Sequence, residues 1–202
     1  MTLLPALFAV LLAYLLGSVP FAVVVSRCYG LADPRSYGSG NPGATNVLRS
    51  GNKAAAVLTL LGDAAKGAVA VIAVRYAFGE GPVLWFATLA VFFGHLFPVF
   101  LRFRGGKGVA TAAGVLLALS LPLGLAVLLT WLFVAFASRY SSLAAIVAAG
   151  LAPVYAVLAD GVNGLSLTAG IMALALIGKH WGNIQRLMAG QESRIGDKKK
   201  KA

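Results

Sequence analysis

Long apolar runs fill most of this 202-residue chain, and three short polar islands, at 37–49, 102–108 and 179–194, interrupt them. A helix that crosses the hydrocarbon core of a bilayer needs ~20 apolar residues, fewer where it tilts or is buried in protein. On that length the runs predict seven transmembrane helices over 2–25, 54–78, 81–101, 109–121, 123–138, 141–158 and 164–178. The stretch 109–138 could form one very long helix. Leu121-Pro122-Leu123-Gly124 interrupts it, and a residue without an amide proton beside a flexible glycine favours two helices. The expected fold class is all-α, a polytopic membrane bundle.

Composition strengthens this reading. With 59% apolar residues, only six acidic side chains and a mean hydropathy of +0.86, the chain lies outside the range of soluble domains. Seven spans also sort the charge. Arg27, Arg35, Arg49, Lys53, Arg102, Arg104, Lys107, Arg139 and every basic residue from Lys179 onward then share one face, 15 of the 17 Lys and Arg. The positive-inside tendency places that face, with the islands and the C-terminus, in the cytoplasm and the N-terminus outside. Arg75 remains near the outer surface and Lys66 lies within a span. The first span lacks a basic n-region and is too long for a signal h-region, so it is read as a retained helix. Cys28 is alone, which excludes an intrachain disulfide and a multi-cysteine metal site. The net charge of +11 invites nucleic acid, yet the basic residues line membrane edges and no nucleic-acid motif appears. Anionic lipid and phosphorylated substrates fit better. A single membrane domain over 1–197 is expected, with 198–202 a solvated basic tail touching anionic headgroups.

The islands carry the candidate chemistry. Tyr37 to Arg49 reads Y-G-S-G-N-P-G-A-T-N-V-L-R, where glycines let the backbone approach an oxyanion and Arg49 adds a planar fork of donors. A flexible loop would have a similar composition. The second island ends R-F-R-G-G-K-G-V-A-T, a glycine turn with Lys107 opening an apolar helix whose amides and dipole favour phosphate. It is not a nucleotide P-loop, because Leu101 stands where the first glycine belongs and Gly108 where the hydroxyl belongs. In the third island His180, Asn183 and Arg186 recur every third residue and share one helical face, with Trp181, Ile184 and Leu187 toward the membrane. His180 suits proton transfer near neutral pH. His95, inside a span, is read as a structural hydrogen-bonding residue. Asp63 and Lys66, one turn apart within the second span, are read first as an ion pair and second as a lysine lent to a phosphate pocket.

Absent motifs exclude several mechanisms. An H-x4-D acyltransferase needs an acid five residues after a histidine, but Phe100 follows His95 and Gln185 follows His180 there. Neither a carboxylate cluster for metal-dependent phosphatidyl transfer nor a G-x-S-x-G elbow is present in the islands. A reaction here must use cationic and amide groups on an already activated substrate.

With G-S-G-N-P-G-A-T-N-V-L-R, T-L-L-G-D-A-A-K-G, G-H-L-F-P-V-F-L-R-F-R-G-G-K-G-V-A-T and H-W-G-N-I-Q-R-L-M-A-G-Q-E in order along nearly the whole chain, the sequence resembles the bacterial PlsY-type acyl-phosphate:glycerol-3-phosphate acyltransferases. Arg104 and Arg194 stand where lysine is commoner in that family. The resemblance implies a multi-pass enzyme of the bacterial inner membrane with its active site facing the cytoplasm. It would move a fatty acyl group from acyl phosphate to the sn-1 hydroxyl of glycerol 3-phosphate, giving lysophosphatidate and phosphate in phospholipid biosynthesis. It implies no metal; no cofactor is expected, no obligate protein partner is inferred, and membrane lipid forms the surroundings. By residue it implies Ser39, Arg49, Lys107, His180 and Asn183 as the catalytic set. Gly40, Asn41, Gly43, Thr45, Asn46, Lys66, Arg104, Gly105, Gly106 and Gly108 would shape the phosphate sites. The proton acceptor is left open between His180 and the phosphate of the acyl donor. Ser39 is read as a hydrogen-bonding residue, since its own segment holds no base to activate it. The alternative is a transporter or flippase for phosphorylated molecules, which would also use intramembrane charge and glycine-broken helices. It is disfavoured because the polar groups gather at one face.

Overall fold

The computed structural model describes residues 3–196, so the basic tail expected at 198–202 lies outside the described residues. The described chain is helical, without strands: α1 Leu3–Ser18, α2 Phe21–Cys28, α3 Ala44–Leu48, α4 Lys53–Phe78, α5 Pro82–Leu96, α6 Val109–Leu119, α7 Leu121–Ser138, α8 Ser141–Asp160, α9 Gly164–Lys179 and α10 Trp181–Met188. Among these residues, four helical stretches are long and apolar enough to cross a membrane, or five if the bent pair α1 and α2 counts as one. The protein is a multi-pass, all-α membrane bundle. The helices α6 and α9 are apolar but shorter.

Prolines mark two of the expected spans: the first is bent into two helices, and the third, Pro82–Leu101, stays one stretch that tightens at its end. The run 2–25 bends by 45° between α1 and α2, because Pro20 has no amide proton and disfavours helical backbone at Val19. In the run 81–101, α5 ends at Leu96, and a single 3₁₀ turn, Val99–Leu101, follows Pro98. The expected break in 109–138 is present but lies at Ser120. Pro122 occupies the first turn of α7, where a missing amide proton costs no helical bond. Proline starts the second helix rather than ending the first.

The outward faces are apolar, with Leu4, Phe8, Leu61, Phe133 and Phe136 exposed, as expected for a surface solvated by lipid tails. Small residues bring the helices together, as they do where hydrophobicity offers no preference between protein and lipid. A Cβ on Gly17 of α1 would come within 2.1 Å of the Val91 carbonyl oxygen of α5, and one on Gly114 of α6 within 2.0 Å of the Ala64 oxygen of α4. The core between these pairs holds Val71, Leu84, Val91, Phe92, Leu96 and Val115, all fully buried. Away from the islands, the α6–α7 junction is closed by Arg75, whose guanidinium donates to the carbonyls of Ala118 (2.6 Å) and Leu119 (2.8 Å) and pairs with Glu80.

Candidate active site

The first island is organised around Asn46 on α3, which is 1% exposed. Its amide nitrogen donates to Pro34 O (2.6 Å) and Tyr37 O (3.1 Å), while Oδ1 accepts from the Ser39 amide (3.0 Å) and Arg49 (3.3 Å). Asn46 therefore holds Ser39 and Arg49 in fixed relation rather than facing outward itself. Ser39 Oγ accepts from the Asn41 amide at 3.4 Å. Thr45 Oγ1 lies 3.5 Å from Ser141 Oγ at the start of α8. Ser39, Gly40, Thr45 and Arg49 are exposed; Asn41 and Gly43 are half-buried.

Lys107 lies on the turn between the 3₁₀ segment and α6. Gly108 caps that helix with φ of 86°, a left-handed conformation that a side chain would strain; a Cβ there would also meet Leu96 and Phe92 within 2.6 Å. The turn sends Lys107 Nζ toward α10, where it donates to Asn183 Oδ1. Burial pushes the ammonium down to about 8; the charges of Arg186 and Arg49 act the same way and Glu192 opposes them. Arg104 is exposed on this turn.

His180 joins α9 to α10 and is 3% exposed. Its Nδ1 is 2.8 Å from Leu176 O. A carbonyl can only accept, so the neutral ring carries its proton on Nδ1 and leaves Nε2 as an acceptor. Burial, above all, pushes the imidazole down to about 4, with the Lys107 charge adding to it and the bond to Leu176 opposing it. At neutral pH His180 is uncharged.

Sequence reasoning missed Glu192, which the structure brings to the middle of this group. Its carboxylate accepts from Asn183 Nδ2 (2.6 Å), Ser142 Oγ (2.8 Å) and Arg186 Nε (2.7 Å). Burial works to raise this carboxyl, but those three hydrogen bonds outweigh it and hold Glu192 below the usual carboxylate range. With Nδ2 bound to Glu192, Asn183 must present Oδ1 to Lys107, so the acid fixes which way the amide points. The neighbouring Ser193 Oγ accepts from Arg49 Nη2 at 2.6 Å, which ties the third island to the first. The signal available in the sequence was thin: Glu192 is the acid within the third island, two residues after Gly190.

The structure thus brings Arg49, Lys107, His180 and Asn183 into one region and adds Glu192, Arg186, Ser142 and Ser193. Lys66 is held elsewhere, 2.8 Å from Asp63 Oδ1 and donating to Val19 O at 2.8 Å, which is the ion pair read first from the sequence. Among the described residues no group of three or more His, Cys, Asp or Glu gathers as a metal site. Three cationic side chains facing one carboxylate leave the region net positive, suited to an anionic ligand.

Residues 7–190 match the model of the glycerol-3-phosphate acyltransferase family. The chain is similar to the glycerol-3-phosphate acyltransferase of Dechloromonas aromatica, with 67% identity over 193 residues covering 95% of this chain and 97% of that one. It is also similar to that of Burkholderia multivorans, with 62% identity covering 97% and 93%. Its structure is similar to the crystal structure of PlsY (YgiH), an integral membrane glycerol 3-phosphate acyltransferase, in the glycerol 3-phosphate form, with a TM-score of 0.91, 41% identity and coverage of 95% and 96%. The lysophosphatidic acid form of that protein aligns with a TM-score of 0.89, 40% identity and the same coverage. This chain belongs to the glycerol-3-phosphate acyltransferase family.

Proposed function

We propose that this glycerol-3-phosphate acyltransferase takes its fatty acyl group from an acyl phosphate and delivers it to the sn-1 hydroxyl of glycerol 3-phosphate, releasing phosphate and lysophosphatidate. The observation that carries this reading is the net positive region linking all three islands, in which Arg49 reaches Ser193, Lys107 reaches Asn183, and His180 beside Lys107 presents an acceptor nitrogen. Both substrates are phosphorylated. An acyl phosphate is a mixed anhydride with a good leaving group, so the protein has chiefly to orient two anions and stabilise developing charge. The relative solved in glycerol 3-phosphate and lysophosphatidic acid forms supports the acceptor and the product.

In this mechanism Arg49 and Lys107 grip phosphate, and Asn183, aligned by Glu192, holds Lys107. The amides at the start of α6 face an anion, as do the side chains of Ser39 and Asn41; Gly40, Gly43, Gly105, Gly106 and Gly108 shape the turns that carry them, Asn46 braces Ser39, Thr45 meets Ser141 on α8, and exposed Arg104 adds positive field. His180 Nε2 accepts the sn-1 hydroxyl and orients its oxygen at the acyl carbon. The ester C–O bond forms as the anhydride C–O bond breaks. A base held near 4 is a weak proton sink, so the departing phosphate oxygen takes the proton. In this reading the chain crosses the bacterial inner membrane seven times, counting α6 and α9, with the islands on the cytoplasmic face; the 15 of 17 Lys and Arg that would share that side support it. One membrane domain, working without a partner protein, holds the site and lodges the acyl tail between helices.

Direct transfer is tested by incubating purified protein with radiolabelled acyl phosphate alone. No label is retained on the chain, and adding glycerol 3-phosphate yields labelled lysophosphatidate. Label trapped on Ser39 would replace direct transfer with a covalent route.

A further inference from the structure

Asp63, Lys66 and His95 are 2%, 3% and 8% exposed and stand apart from the reacting groups described above. Charges at membrane depth are costly and are kept where they have a task. These three join elements distant in sequence. Asp63 and Lys66 come from α4, His95 from α5, and Lys66 donates to Val19 O, the carbonyl at the Pro20 break between α1 and α2. Asp63 Oδ1 lies 2.8 Å from Lys66 Nζ and 3.4 Å from His95 Nδ1.

The other side of His95 faces the second island. The Gly106 amide donates to His95 O at 3.1 Å. A Cβ on Gly106 would lie 2.2 Å from His95 Nε2, and one on Gly105 2.2 Å from His95 O. The glycine turn therefore rests directly on the backbone and ring of His95, and Lys107 is the next residue. A small cavity walled by Asp63, Lys66, His95, Gly106 and Pro42 of the first island lies at the same junction.

We propose that Asp63, Lys66 and His95 are positioning residues for Lys107: the ion pair fixes the His95 ring, and the ring sets the height of the Gly105-Gly106 turn that delivers Lys107 to its substrate. This inference deepens the acyl-transfer reading and rests on it for its kinetic expectation. Lys66, expected from the family resemblance to touch phosphate, acts here from behind the turn. The geometry distinguishes two conservative changes at one position. An amide in His95→Asn keeps the atom that faces Asp63 and empties the place of Nε2 beside Gly106. An amide in His95→Gln refills that place.

The test uses full-length protein in detergent micelles, with acetic anhydride as a pulse label for lysines read by mass spectrometry, alongside glycerol 3-phosphate kinetics. In His95→Asn and Asp63→Asn, Lys107 labels several-fold faster than in the parent while Lys53 is unchanged, and the KM for glycerol 3-phosphate rises about tenfold with kcat nearly constant. His95→Gln stays close to the parent on both measures. Parental Lys107 labelling and parental KM in His95→Asn, with only a lower melting temperature, would overturn the proposal. If Asp63→Asn does not fold, the two His95 variants decide the question. A parent protein without turnover contradicts the acyl-transfer reading, and the Lys107 labelling then still judges the positioning role.

Discussion

Asn183 is held at both ends, by Lys107 at its oxygen and Glu192 at its nitrogen, so a change at Glu192 should reach Lys107 without touching substrate. Glu192→Gln keeps the shape and removes the charge that aligns Asn183, Ser142 and Arg186. Loss of charge-assisted hydrogen bonds worth about 1.5–3 kcal/mol lowers kcat/KM for glycerol 3-phosphate roughly 10- to 100-fold, as steady-state kinetics would record. In the parent, kcat/KM falls as pH rises through about 8, where buried Lys107 loses its proton. Glu192 supports the charged form of Lys107, so Glu192→Gln moves that limb to lower pH; an unmoved or alkaline-shifted limb would contradict the electrostatic link. The family motifs pointed to Arg49, Lys107, His180 and Asn183 because each is a distinctive side chain in a polar island. Glu192 and Ser142 were not legible that way. Ser142 opens an apolar helix, and Glu192 acquires its role only when the chain after α10 folds back over the first island.

Helices were legible wherever apolar length decided the outcome, as in α4, α7 and α8, whose ends fall within two residues of expectation. Breaks were less so, because an apolar run looks continuous on both sides of a proline. Pro20 and Pro98 are embedded in such runs, and the compensation for their lost bonds comes from afar, as Lys66 does for the Val19 carbonyl. A similar external closure operates at the α6–α7 junction. Arg75→Met removes two donors to the Ala118 and Leu119 carbonyls and the ion pair to Glu80. It should destabilise the bundle by about 1.5–3 kcal/mol, seen as a lower thermal midpoint in micelles. The KM for glycerol 3-phosphate stays at the parental value, since this junction contributes no group to the reacting region.

At the scale of the whole molecule, the proposed orientation and the proposed chemistry go together, with the three islands expected on the cytoplasmic face. The single cysteine reports on this. Cys28 is exposed at the end of α2, so a membrane-impermeant maleimide labels it in inside-out vesicles and leaves it unlabelled in intact spheroplasts; the reverse pattern would invert the topology. The most direct test of the central claim is product formation by the purified chain given glycerol 3-phosphate with acyl phosphate, acyl-CoA or acyl carrier protein as separate donors. Lysophosphatidate from acyl phosphate alone is the predicted result. Product from a thioester donor but not from acyl phosphate would contradict the account, because the site would then be activating a different leaving group.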